Sequence, residues 1–273
     1  MKKDDFGDRM KRYEKLYAGQ KAMPLLPVIA RLDGKNFSKL TKNLDRPFDG
    51  NFRTMMKNIT RLLVGSSNAL LGYTQSDEIT LVYYSDDYKK QIFFNGKIQK
   101  MVSVLASMAT SYANFVGLNT LLKDPIIHFD CRVFQVPTKV EAANQILWRV
   151  QDAVRNSIQA VGQHNFSHKE LMHKGSNDIQ EMLWKECNIN WNDFPVEFKE
   201  GYFIQRRKHV RAFTDEEIEK LPEKHQARTN PDLMIERTDI NRVDLSPFKG
   251  IVNKTVVIFD GAKPSWTNWN RGD

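Results

Sequence analysis

Two acidic positions at the ends of apolar runs restrict what this chain can fold into. Asp33 closes the run 24–32 and is followed by Gly34, while Asp77-Glu78 sits between Leu70-Leu71-Gly72-Tyr73 and Ile79-Thr80-Leu81-Val82-Tyr83-Tyr84. The flanking residues suit strands, because aliphatic, β-branched and aromatic side chains fill a pleated, half-buried surface. Carboxylates brought together at strand ends repel one another unless a cation lies between them. Such an arrangement supplies the oxygen donors by which a protein holds two hard divalent cations against nucleotide phosphates.

The surrounding pattern predicts how the strands are connected. Phe6, Met10, Tyr13 and Tyr17 recur at three-to-four spacing, so 4–18 reads as an amphipathic helix packed on the core. A strand over 28–32, a helix over 52–63 stopped by Gly65-Ser66-Ser67-Asn68, and hairpin arms over 69–73 and 79–84 follow. A long helix over 97–115, rich in small residues, then leads to a strand over 126–136 ended by Pro137. The order helix, strand, helix, strand, strand, helix, strand predicts an α+β fold, a sheet with helices on one face. We place a boundary near 138, giving a first unit 1–138 and a smaller helical and hairpin region 139–210 that completes it. That region has helices over 141–160, 170–171 and 178–185 and a strand over 198–207. In the tail 211–273, 215–220 reads as helical, 255–259 is an apolar run, and no role is assigned.

At 273 residues the chain can bury one sizeable core with a smaller unit appended. Its 41 Lys and Arg against 33 Asp and Glu give a net charge of +8, which favours polyanionic partners, although lysines that only keep a protein dispersed give the same excess. The two cysteines are Cys131 and Cys187, and Cys131 lies in an apolar run where a reduced, buried thiol is expected. The charged start Met1-Lys2-Lys3-Asp4-Asp5 and the lack of any run of about 18 apolar residues predict a soluble, cytoplasmic protein with no membrane contact.

Placing the first strand beside the hairpin brings Asp33 and Asp77 together, although 44 positions separate them. Met by itself, Asp-Gly is more often a turn and Ser-Asp-Glu a solvated hairpin loop; their conjunction favours a metal site. Gly34, without a Cβ, admits close approach of backbone groups to a metal and a triphosphate. Competing chemistry is weaker. His164, His168 and His173 would need a fourth close ligand such as Cys187 to hold zinc. No phosphate-binding Gly loop precedes Lys-Ser or Lys-Thr, and no Ser-His-Asp order stands out. His128, Trp148 and Trp184 read as packed core residues.

Arg31-Leu32-Asp33-Gly34-Lys35-Asn36-Phe37-Ser38 and Gly72-Tyr73-Thr74-Gln75-Ser76-Asp77-Glu78 resemble the two signature segments of the tRNA-His guanylyltransferase superfamily. Phe129-Asp130-Cys131-Arg132-Val133 with Pro137 is similar to its following strand, Trp148-Arg149 with Asp152 to its next helix, and Asn188-Ile189-Asn190-Trp191-Asn192 to a later turn. The resemblance covers roughly residues 5 to 208 in order. It implies a polymerase/cyclase-like palm, a ferredoxin-like antiparallel sheet with a C-terminal helical and strand extension, that adds nucleotides to the 5′ end of tRNA in the 3′-to-5′ direction.

By that resemblance, Asp33, the Gly34 carbonyl and Asp77 hold two Mg²⁺ ions, with Glu78 as adjacent acidic support. Lys35, Asn36, Phe37, Ser38 and Ser76 cradle the triphosphate of GTP, another NTP or ATP, and Arg46, Lys97 and Lys100 contact it, the last two sharing a helix face. Arg155 and Asn156, with Arg206, Arg207 and Lys208, are expected on the tRNA-binding surface, and family members imply a homotetramer. Where eukaryotic members carry His-Ile-Asn-Asn-Leu-Tyr-Asn, this chain reads Val154-Arg155-Asn156-Ser157-Ile158-Gln159-Ala160. That segment resembles the guanylyltransferase-like branch, which implies templated repair of 5′-truncated tRNA over G addition at position −1 of tRNA-His. A palm-type nucleotide cyclase and a non-catalytic RNA-binding protein are the competing expectations.

Overall fold

A computed structural model describes residues 5–37, 41–120 and 126–267. Strands β1 (Val28–Gly34), β2 (Leu71–Gln75), β3 (Glu78–Tyr83), β4 (Phe129–Gln135), β5 (Tyr202–Ala212) and β6 (Met234–Val243) form one antiparallel sheet in the order β4-β1-β3-β2-β5-β6. The principal helices are α1 (Asp5–Ala18), α2 (Gly50–Ser67), α3 (Ile98–Thr120), α4 (Lys139–Asn165), α5 (Ser176–Cys187), α6 (Asp215–Lys220) and α7 (Lys254–Asp260).

Helix α2 buries Met55, Met56, Ile59, Leu63 and Val64, the stripe its spacing predicts. Asp49 caps its start by accepting from the Phe52 N–H at 2.7 Å, and Asn68 ends it at a left-handed φ of 59°. It lies so close to β2 that a Cβ at Gly72 would sit 2.6 Å from Val64 Cγ2. Helix α3 adds Met101, Leu105, Ala109 and Ala113 to the same face, so both palm helices pack on one side of the sheet. The other side carries the extension. Ala142, Ile146 and Val150 of α4, with Leu245, Phe248, Val257 and Ile258, pack on Ile29, Leu71, Val82 and Phe203. The boundary expected near 138 coincides with Thr138, which caps α4 by accepting from the Glu141 N–H, yet the segments on either side of it share this second core.

Several local expectations are corrected. The first helix buries none of its residues; Phe6, Leu16 and Tyr17 are exposed. Gly65, Ser66 and Ser67 continue α2, and only Asn68 stops it. The strand expected from 198 begins at Tyr202, because Val196–Lys199 forms a helical turn. Strand β6 was not foreseen: Glu236, Arg237, Asp239 and Arg242 interrupt its apolar alternation, and its pairing with β5 supplies the order the local pattern lacks. The apolar run 255–259 is helical, within α7. His128, Trp148 and Trp184, expected in the core, are all exposed. Cys131 is buried, and burial pushes its thiol up to about 12, an unreactive state.

Candidate active site

Strands β2 and β3 are joined by two residues, Ser76 and Asp77, since Gln75 pairs with Glu78. So short a reversal favours positive φ at its first residue, and Ser76 sits at φ 48°. Register then sets the chemistry: Asp33 of β1 lies opposite Glu78 on one side and Asp130 of β4 on the other. Partners in register share a face, so three acidic residues stand in a row at this end of the sheet. The Gly34 N–H donates to the Asp77 carbonyl at 3.2 Å and the Lys35 N–H to the His128 carbonyl at 2.9 Å, which ties β1 to the turn.

The carboxyl of Asp77 is pushed up chiefly by burial, and the Asp33 charge adds to the push. Bonds from its own backbone N–H and from the Ser76 hydroxyl pull it partly back. Asp33 is thus near enough for its charge to act on the Asp77 carboxyl, and the Gly34 N–H bond to the Asp77 carbonyl holds the end of β1 against the turn. Glu78 is held differently. Arg149 of α4 donates to its Oε1 through Nε at 2.6 Å and to Asp152 Oδ2 through Nη2 at 2.7 Å. Burial pushes the Glu78 carboxyl up, and the Arg149 charge counters it. The arginine thus anchors the β2–β3 hairpin to α4, leaving Asp33 and Asp77 as the pair without a cationic partner among the described residues.

The other expected site residues divide. Lys35 and Asn36 are exposed beside Asp33, Asn36 at φ 59°. Phe37 is a packing residue, 4 % exposed and tilted against Phe52 and Phe129. A Cβ on Gly34 would lie 2.3 Å from the Phe37 ring, and the Gly34 N–H already serves Asp77. The glycine therefore makes room for an aromatic ring and has no free N–H for a triphosphate. Ser38 lies outside the described residues. Lys97 and Lys100 stand at the opposite end of the sheet: Lys97 bridges to Lys21 ahead of β1, and it is Thr110, about 15 Å of helix beyond Lys100, that reaches β4 beside Gly34. They do not join the acidic row.

Arg46, Ser76 and Asn156 do converge, around a cavity of about 220 Å³ beyond the hairpin turn. Its walls include Phe48, Phe52, Phe198 and Tyr202, which no local pattern groups together. Arg53 stacks 3.7 Å over the Phe198 ring with Nη1 2.7 Å from Glu197 Oε1, although that contact lacks hydrogen-bond geometry; Lys57 Nζ is 2.7 Å from Oε2 of the same glutamate. Arg155 is exposed and pairs with Asp152 at 2.8 Å. Along β5, Arg207 donates to Gln205 and Lys208 pairs with Glu236 at 2.7 Å, so 206–208 alternates between the two faces of the ribbon.

Magnesium fits this donor set. Mg²⁺ is held by one or two carboxylates together with substrate phosphates and water, and two neighbouring like charges favour a cation between them. Among the described residues no group of three or more His, Cys, Asp or Glu gathers as a protein-only metal cage, the zinc alternative at His164, His168 and His173 included. No helix among them is long and apolar enough to cross a membrane.

A family model for tRNAHis guanylyltransferase matches residues 7–137. A solved bacterial tRNA(His) guanylyltransferase (Thg1)-like protein in complex with ATP is 40 % identical, with a TM-score of 0.70 over 74 % of this chain and 87 % of its own. A bacterial Thg1-like protein in complex with GTP is 32 % identical, with a TM-score of 0.69 over 93 % of this chain and 99 % of its own. The tRNA(His) guanylyltransferase of Saccharomyces cerevisiae is 26 % identical over 69 % of this chain and 86 % of the yeast protein.

Proposed function

The chain belongs to the tRNAHis guanylyltransferase family and is a nucleotidyltransferase of that kind, and from this premise we propose that it adds nucleotides to the 5′ end of tRNA, restoring truncated ends against the opposite strand of the acceptor stem. The observation that carries the reading is the juxtaposition of Asp33 at the end of β1 with the turn carrying Asp77, tied by the Gly34–Asp77 backbone bond, next to a cavity bordered by Arg46, Ser76 and Asn156. Solved relatives holding ATP and GTP support nucleotides as ligands of that cavity.

In this reading Asp33 and Asp77 are the protein ligands of two Mg²⁺ ions, which when bound supply charge neutralisation for the phosphates and for the developing alkoxide. Arg46, Ser76 and Lys35 bind the triphosphate, and the aromatic walls enclose the base. Arg149 keeps Glu78 and the turn that carries Asp77 in register with β1. The 3′ oxygen of the nucleotide loses its proton and attacks the 5′ phosphorus of the RNA. A new O–P bond forms, and pyrophosphate, or AMP from an adenylylated end, departs. Arg155 and Asn156 of α4, together with Arg206, Arg207 and Lys208 of the ribbon, are proposed tRNA contacts, and their contribution weakens as salt rises.

Repair is favoured over G addition at position −1 by Val154, which the motif resemblance sets against the histidine of eukaryotic members, and by the higher identity to a bacterial Thg1-like protein than to the yeast enzyme. The test is incubation with Mg²⁺, labelled NTPs and either full-length or 5′-truncated tRNA-His, alongside a second truncated tRNA. Extension of both truncated RNAs to the mature end supports repair. Labelling of full-length tRNA-His alone supports guanylate addition, a cyclic nucleotide supports a cyclase, and RNA binding without any product supports a non-catalytic binder.

A further inference from the structure

Trp148 was expected in the core and instead lies on the surface of α4, 47 % exposed, on the active-site face. Two guanidiniums hold its ring: Arg149 Cζ is 4.4 Å and Arg31 Cζ 5.9 Å from the centroid. Arg149 is committed to Glu78 and Asp152. Arg31 forms no salt bridge among the described residues; its charge acts on the Glu78 carboxyl from a distance, and its guanidinium lies beside the ring where an anion could pair with it. It precedes Asp33 by two residues on β1 and shares its face, which puts the Arg31 backbone about 7 Å along the strand from Asp33.

Position across the sheet separates this platform from the nucleotide cavity. That cavity opens at the β2 and β5 side, against α2 and Tyr202. Trp148 overhangs β1 on the other side of β3. A nucleotide seated in the cavity meets the RNA end at Asp33 and Asp77, so the RNA must arrive from the side that the nucleotide leaves open. We infer that Trp148 is a stacking platform for a base at the 5′ end of the RNA substrate, with Arg31 beside it for a backbone phosphate. The inference rests on the nucleotidyltransferase reading above and adds the residue that seats the RNA. An aromatic face accepts any base, which suits an enzyme whose RNA end changes with every nucleotide added.

The test compares wild type with Trp148→Ala, Trp148→Leu and Trp148→Phe. Because the ring is half exposed, all three should fold, and thermal unfolding verifies it. Equilibrium binding of 5′-truncated tRNA, which needs no turnover, should weaken between about fivefold and about a hundredfold in the Ala and Leu variants and recover in Phe. The Michaelis constant for GTP should not move. A 2-aminopurine at the first RNA nucleotide should be quenched by wild type and Trp148→Phe but not by Trp148→Leu. Wild-type RNA affinity in the Ala and Leu variants overturns the inference, as does quenching of a 2-aminopurine nucleoside triphosphate in place of the RNA base. Failure of the wild-type protein to extend any RNA it binds overturns the enzymatic reading instead, and the binding comparison still decides the role of Trp148.

Discussion

The pair between Arg149 and Glu78 shows how one arginine can serve the fold and the site together. Both side chains are about nine-tenths buried, and their contact is 2.6 Å. Arg149→Met leaves a carboxylate buried beside an apolar chain, and breaking a buried pair in this way costs about 3 to 5 kcal/mol. Adding Glu78→Gln to Arg149→Met should restore part of that loss, because the stranded charge is then gone. Urea unfolding of the two single variants and the double variant checks this. A double variant no more stable than Arg149→Met alone would mean that the arginine acts through packing and not through Glu78.

At the scale of elements, the β5–β6 ribbon runs past the last β2 pair, at Leu71 and Gln205, and ends against α6. Glu217 of α6 ties this end together, accepting from Arg211 at 2.8 and 2.9 Å and from Arg237 at 2.7 and 3.0 Å, and bonding the Thr214 N–H in a capping box. The Arg211 guanidinium, the Thr214 N–H and Arg237 hold its carboxyl well below the usual carboxylate range. The folded form thus carries fewer protons than the unfolded one between the two values. Its contribution is complete above the unfolded value of about 4.3 and is lost as pH falls below it. The protection of amides at 207–220 and 234–239, measured against their intrinsic exchange rates, should fall between about pH 4.5 and 3 in wild type. In Glu217→Gln that protection should be low and nearly independent of pH over the same window. Equal protection in the two proteins at neutral pH would show that the network holds nothing.

For the whole molecule, what could be read in advance was whatever local pattern specifies. The β1–α2–β2–β3–α3–β4 order follows from residue periodicity, and the two acidic sites mark one end of the sheet because strands ending in Asp33 and Asp77 must be neighbours. Contacts distant in sequence left no such trace. Glu197 meets Arg53 and Lys57 from about 140 positions away, and β6 gains its order from β5 and not from its own alternation. Lys97 and Lys100, whose spacing implies a shared helix face, do not share one, because α3 begins at Ile98 and Lys97 is extended and bridged to Lys21, and spacing does not reveal which end of the sheet a helix starts from. Trp148 was misplaced for a related reason: an aromatic among apolar helix residues gives the same pattern whether it faces the core or a binding surface.

The proposed function requires Asp33 and Asp77 to act as joint ligands of a divalent cation. Mn²⁺ binding, followed by the electron paramagnetic resonance signal of the free ion, tests this in the absence of RNA or turnover. Wild type should bind Mn²⁺, Mg²⁺ should compete for the same sites, and Asp33→Asn and Asp77→Asn should each weaken binding by at least about tenfold while unfolding at the temperature of wild type or above it. Wild-type Mn²⁺ affinity in both asparagine variants would contradict the account.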